Sequence, residues 1–267
     1  VITLSVLIST IIIKTYYKKE NGVITMKKTL LACAVSTAVM LPSLASAELS
    51  TTVTVVSDYT FNGVSQTDNS PALQASLDYG TDDFYVGTWA SNVDFGGDTN
   101  LELDFYAGKY FQLSQAASID AGLSYYTYHG DSDNDDGFES MDLAYGEAYG
   151  KFGFASELGQ TELNFWYAWD YAGSDEAHLV SMLAQSYDVA EGHTLRLSID
   201  QSMFMDSDIK AWGGDSSYVH YRLEYQTSYE GFDFVVAAED TTIDSDSGLA
   251  DSADARLVAG VSYTFGL

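Results

Sequence analysis

Polar and apolar side chains alternate with a period of two over most of the chain beyond Glu48, as in extended strands with one greasy and one wet face. The last stretch shows it plainly: Leu257, Ala259, Val261, Tyr263 and Phe265 share one face, and Val258, Gly260, Ser262 and Thr264 the other. Leu101, Leu103, Phe105 and Ala107 likewise oppose Glu102, Asp104, Tyr106 and Gly108. Leu163, Phe165, Tyr167 and Trp169 oppose Glu162, Asn164, Trp166 and Ala168, and Leu195, Leu197 and Ile199 oppose Arg196, Ser198 and Asp200. Strands are predicted at 49–61, 72–79, 84–92, 100–111, 118–128, 141–154, 161–171, 178–188, 193–204, 217–229, 232–240 and 254–265. Most have the roughly 9–11 residues of a tilted membrane strand. Two of them, 141–154 and 178–188, alternate poorly and leave their facing open.

The connections give a second signal, because short and long ones take turns. Segments 80–83, 113–117, 156–160, 190–192 and 230–231 are short; 62–71, 93–99, 130–140, 205–216 and 241–253 are longer and more acidic. Membrane barrels carry short turns at one rim and long loops at the other, with both chain ends on the short-turn side when the strand number is even. A soluble sandwich has no reason to keep that parity, nor to turn a Leu/Phe/Tyr band outward. The expected fold is all-β: a transmembrane antiparallel up-and-down β-barrel of about twelve strands. No apolar run after Ala47 reaches the roughly 20 residues of a membrane-spanning helix.

The N-terminal region reads differently. Met26-Lys27-Lys28, the apolar run 30–41 and the small residues Ala45-Ser46-Ala47 make a signal peptide over 26–47, with export to follow and a barrel domain from 48 to 267. Residues 1–25 lack that logic and are expected to be an over-long reading upstream of a start at Met26. Cys33, the single cysteine, sits too close to the lysines for a lipoprotein signal, and it leaves the exported chain without disulfides or thiolate metal sites.

Charge narrows the function. The chain carries a net −28; five lysines and one glutamate lie before Glu48, so the exported part stands at about −32. That acidity excludes a nucleic-acid surface. Acidity alone would suggest disorder, but 20 Tyr, 13 Phe and 4 Trp argue for a fold that uses them.

Two stretches carry a family resemblance. Phe61-Asn62-Gly63-Val64-Ser65-Gln66-Thr67 with Pro71-Ala72-Leu73-Gln74, and Gly87-Thr88-Trp89-Ala90-Ser91-Asn92-Val93-Asp94-Phe95 with Glu102-Leu103-Asp104, are similar to the TorF family of proteobacterial outer-membrane porins. The resemblance implies a channel-forming barrel and brings no catalytic residues. One departure is the ending: many outer-membrane barrels finish on an aromatic, whereas here Gly266-Leu267 follow Phe265.

Candidate chemistry is sparse. The loop from Asp131 to Gly137 has the oxygen-rich start of a calcium loop, but its glycine comes one place late and Asp142 stands where a glutamate is needed, so it reads as a solvated acidic loop. His129, His178, His193 and His220 have no ligand spacing for zinc. Ser124 and His129 differ in parity and should not share a face, and no Gly-x-Ser-x-Gly elbow occurs, so no catalytic, metal or cofactor site is assigned and no enzyme is expected. The wet face is richer: Asp58, Asp78, Glu102, Asp104, Asp120, Glu162, Asp170, Asp200 and Glu224 are expected to line the lumen, with Arg196, Arg222 and Arg256. An acid excess in a pore favours cations. The expectation is thus an outer-membrane porin-like channel for passive diffusion of small hydrophilic solutes or ions, cation-preferring and free of cofactors. Its partners would be membrane lipid, lipopolysaccharide and the barrel-insertion machinery. The alternatives are a barrel hydrolase acting on lipid or peptide, and a non-conducting structural or adhesive barrel.

Overall fold

In a computed structural model the chain is described over residues 48–267, apart from Asp83, Gly96, 131–142 and Ser245. The expected signal peptide, the segment before it and the acidic loop from Asp131 to Gly137 lie outside the described residues. The elements are β1 (Glu48–Val56), β2 (Thr60–Phe61), β3 (Val64–Ser65), β4 (Ala72–Gly80), β5 (Tyr85–Asn92), β6 (Thr99–Gln112), β7 (Ala117–Gly130), β8 (Tyr145–Ser156), β9 (Gly159–Ala168), β10 (His178–Ala190), β11 (His193–Phe204), β12 (Ser217–Tyr229), β13 (Phe232–Thr241), the one-turn helix α1 (Ala250–Ala253) and β14 (Arg256–Gly266).

All strands except β2 and β3 join a single closed ladder of twelve, each pairing antiparallel with its neighbours in chain order. Closure comes from β1, which pairs with β4 on one side and β14 on the other: Val53 stands opposite both Ala75 and Tyr263. Leu267 seals the seam by donating its N–H to the Leu49 carbonyl at 2.8 Å. Every strand thereby finds backbone partners on both edges, the condition for crossing lipid. The alternating sequence sets the facing. Leu77, Phe105, Leu123, Phe165, Leu197, Leu223, Val236 and Leu257 stand outward and exposed in a continuous apolar band, while Glu102, Asp120, Asn164, Asp200 and Glu224 are buried inside.

The predicted strands match the wall closely, with two physical corrections. The segment 49–61 is not one strand: β1 ends at Val56, and the chain then folds a small β2–β3 hairpin of its own. The segment 161–171 ends early, since β9 stops at Ala168 and Tyr171–Gly173 form a 3₁₀ turn. The poorly alternating strands have aromatic or aliphatic side chains on their inner faces too. Tyr145 and Tyr149 of β8, and Val180 and Ala184 of β10, are all buried inside. Short turns sit at one rim and long loops at the other, and both ends of the described chain emerge at the short-turn rim.

If the band faces hydrocarbon, charge placed in it is costly. Leu197→Arg, mid-strand and outward on β11, should lower the stability of the lipid-reconstituted barrel by about 2–4 kcal/mol, whereas Ser198→Ala on the inner face should change it little. Denaturant unfolding in vesicles reads the difference; equal effects would mean that lipid does not cover this face.

Candidate functional site

The interior is organised by the hairpin that follows β1. Asn62 and Gly63 both have positive φ (48° and 81°), as a two-residue primed turn demands. This reverses the chain so tightly that residues 58–67 fold into the bore. On one side Tyr59 meets Trp89 of β5 edge-on at 5.3 Å and Phe61 meets Tyr126 of β7 at 6.4 Å. On the other, the Asn62 amide donates to Ser202 Oγ of β11 at 3.5 Å. Gly63 lies against β12 and β13, where an added Cβ would come within 2.5 Å of the His220 ring and 2.7 Å of the Thr241 methyl. The hairpin thus bridges the lumen between two walls. Its root is Asp58, which is buried, accepts from Ser65 and Thr67 hydroxyls at 2.6 and 3.0 Å, and pairs with Arg256 of β14 at 2.7 Å. Arg256 also donates to Asn69 at 2.8 Å, so one guanidinium clasps both ends of the inserted segment.

The wall of β11–β14 is a charge-balanced net. Arg222 bonds Glu224 at 2.8 Å and also Glu239; His220 contacts Asp200 at 2.8 Å and Glu239 at 3.6 Å. Arg196 pairs across β10 with Glu162 of β9 at 3.0 Å. The wall of β6–β8 is different. Glu102, Asp104 and Glu147 project among tyrosines: Tyr128 donates to Glu102 at 3.2 Å and Tyr126 to Glu147 at 2.9 Å. No described salt bridge involves any of the three. Nearer the short-turn rim, Tyr85 donates to Asp120 at 2.6 Å and Tyr106 donates to Asp78. Lys151 of β8 stands opposite Asp120, its ammonium 4.8 Å from the Tyr149 ring and 5.7 Å from Trp166.

At the long-loop rim two apolar clusters close over this interior. One joins Tyr126, Tyr128, Tyr145 and Ala168 to Leu143 and Tyr171; the other joins Tyr218, Ile243 and Ala253 to Val64 and Trp212. Beneath them the charged layer is shut off from water: Glu102 and Glu147 are 2% exposed and Asp200 1%.

Of the residues expected inside, Asp58, Glu102, Asp104, Asp120, Asp200, Arg222 and Glu224 are buried there, and Asp78, Glu162, Arg196 and Arg256 stand half-buried on the same face. Asp170 departs from that set. It lies beyond β9, where its carboxylate accepts the Asp175 N–H at 2.9 Å and shapes the loop. The arginines do not stand apart from the acids as a separate cluster, because each is paired with a carboxylate: Arg222 within the β11–β14 wall, Arg196 with Glu162 of β9 and Arg256 with Asp58 of the hairpin. Sequence reasoning missed Glu147, Lys151, His178, His220 and Glu239. Glu239 was within reach, since Phe232, Phe234 and Val236 face outward and fix its parity. Ser124 and His129 lie on opposite faces of β7, and among the described residues no group of three or more His, Cys, Asp or Glu is placed to hold a metal ion.

The model of a bacterial protein family of unknown function, Gcw_chp, matches residues 43–265. No curated protein matches the chain. Among solved structures, the fold is similar to the KdgM porin in complex with disordered oligogalacturonate (TM-score 0.52, 10% identity, covering 81% of this chain and 99% of that one). It is also similar to the NanC porin (TM-score 0.51, 8% identity, 81% and 98% covered). A third similar structure is the COG4313 outer membrane channel from Pseudomonas putida F1 (TM-score 0.50, 11% identity, 84% and 97% covered). At these identities the likeness is one of fold: a porin-type barrel.

The clasp at Asp58 is testable through the hairpin it holds. Because Cys33 is the only cysteine in the sequence, an Asn62→Cys probe gives the hairpin tip one label site in a chain expressed from Glu48 onward. With the native hairpin, a membrane-impermeant maleimide should react slowly. Adding Gly63→Val or Arg256→Met should speed labelling at least tenfold, and Arg256→Met should cost about 3 kcal/mol by stranding the buried Asp58 charge.

Proposed function

The chain belongs to the Gcw_chp family of bacterial proteins of unknown function, and we propose that it works in the outer membrane as a porin-like channel through which small hydrophilic solutes or ions diffuse passively, cations in preference to anions. The observation that carries the reading is the imbalance of the two inner walls. Every arginine on the inner face is tied to a carboxylate, while among the described residues no salt bridge reaches Glu102, Asp104 or Glu147. Charge lining a narrow bore sets ion preference, and more strongly where water is excluded. The hairpin rooted at Asp58 is the constriction. Passage requires it to yield, which suits a selective conduit better than a wide sieve.

The rest of the reading follows from the expectations set by sequence. The apolar band would meet membrane lipid and lipopolysaccharide, export would remove residues up to Ala47, and the insertion machinery would recognise the closing strand β14. The resemblance of the hairpin segment to the TorF porins supports the same reading. The oligogalacturonate of the KdgM complex is rich in carboxylates and would be repelled by the β6–β8 wall, so that cargo is not carried over. A hydrolase finds no support in the separation of Ser124 from His129. The water-excluded layer at Glu102 and Asp200 favours one second reading, a non-conducting structural barrel.

Single-channel recording in planar bilayers separates the two. The channel reading expects discrete steps and a reversal potential on the cation side in a salt gradient. The double substitution Glu102→Gln/Asp104→Asn should reduce the cation-to-anion permeability ratio severalfold, and Arg256→Met should increase open-state occupancy. Silence in both native and Arg256→Met barrels would select the non-conducting reading, and anion preference would refute the charge argument.

A further inference from the structure

The wall of β6–β8 repeats a motif at two levels, and only one level is filled. Near the short-turn rim the chain supplies its own cation: Lys151 lies over the rings of Tyr149 and Trp166, with Asp120 directly across the strand pair. Ammonium, ring faces and carboxylate together form a cation–π site that an isolated acid cluster would lack. Toward the long-loop rim the same ingredients recur without the ammonium. Tyr126 and Tyr145 stack at 4.5 Å, Tyr145 meets Tyr171 at 4.9 Å, and Glu102, Asp104 and Glu147 stand among them.

An independent observation points to a missing ligand. Glu102 and Asp104 are 2% and 8% exposed, yet Glu102 Oε2 and Asp104 Oδ1 have no hydrogen-bond partner among the described residues; Asp200 Oδ2 and Glu239 Oε1 on the other wall share that lack, but their carboxylates are ion-paired. A buried carboxylate oxygen without a donor is costly, and a native fold tolerates it where something else pairs with it. The carboxylates do not converge as a metal cage; rings separate them, an arrangement that suits a cation with greasy flanks better than a bare divalent ion.

We propose that this acid–tyrosine wall is a binding site for organic ammonium cations, small alkyl mono- or diamines, with the hairpin as its lid. Tyr59 and Phe61 cover the site from the bore: Tyr59 packs edge-on against Trp89 and Phe61 against Tyr126. Entry of an amine displaces the lid, the ammonium pairs with Glu102 and Asp104, and the methylenes lie along the tyrosine faces. The inference rests on the channel reading for how the cargo arrives, but binding itself can be measured without conduction.

The test uses the protein extracted from membranes in detergent, titrated calorimetrically with putrescine, with sodium at matched ionic strength, and with uncharged 1,4-butanediol. Saturable putrescine binding is expected, at least tenfold tighter than sodium, with none for the diol. Glu102→Gln/Asp104→Asn should weaken it at least tenfold. Should that variant fail to fold, Tyr145→Leu should lose putrescine binding severalfold while the thermal unfolding of the barrel stays within a few degrees of native, a split that loss of packing alone would not give. Putrescine binding no better than the diol, or binding untouched by the carboxamide pair or by Tyr145→Leu, overturns the site. Conduction without putrescine binding overturns the site and leaves the channel standing. Binding without conduction upholds the site and removes the channel.

Discussion

The constraint that governs this molecule is that a sheet edge carries backbone N–H and C=O groups that are costly to leave without partners wherever water is excluded. An open sheet would leave two edges unpaired, so the ladder has to close, and it does so where β1 takes β14 as its second partner. Closure dictates the rest. One face of each strand meets the surroundings and must be apolar; the other is enclosed, and polar side chains there must satisfy one another. The buried charges are therefore a consequence of the ring and not an addition to it.

Within the ring the two sides solve the enclosure differently. The β11–β14 wall pairs its charges: Arg222 is shared by Glu224 and Glu239, and Arg256 holds Asp58. The β6–β8 wall uses phenols, which donate to Glu102 and Glu147 without neutralising them. A hydroxyl satisfies a carboxyl group's geometry without bringing a countercharge, so one wall is ion-paired and the other hydrogen-bonded. Gly63 is what lets the hairpin tip press against the opposite wall, since any side chain there would meet His220 and Thr241.

The wall was legible because a period of two survives wherever outside and inside differ in polarity. For β6, β9 and β11 alternation sufficed to place Leu103, Phe165 and Leu197 outward and Glu102, Asn164 and Asp200 inward. It failed where the inside is aromatic. On β8, Tyr145 and Tyr149 look inward as Phe152 and Phe154 look outward, so polarity no longer labels the faces, and Glu147 and Lys151 went unassigned. The hairpin was hidden for another reason. Thr60, Phe61, Val64 and Ser65 have ordinary strand composition, and nothing in a one-dimensional pattern separates a strand in the wall from one that turns into the bore. The Asn62-Gly63 pair is the local mark of a tight reversal, and with β1 ending at Val56 it could have signalled an inserted turn. Pairings such as Asp58 with Arg256, 198 residues apart, lie beyond any local pattern.

That pairing also orders events. Arg256 opens the final strand, and Asp58 follows the first, so their contact cannot exist until β14 has docked beside β1. The hairpin can make local bonds earlier, from Ser65 and Thr67 to Asp58, but its clasp waits for the seam. The clasp on the hairpin and the closure of the barrel are thereby coupled. The same geometry puts the hinge of the constriction at the seam. A disturbance of the β1–β14 junction opens the ring itself and also reaches the inserted segment, through Arg256 on Asp58 and through the bonds between Ser57 and Ala259.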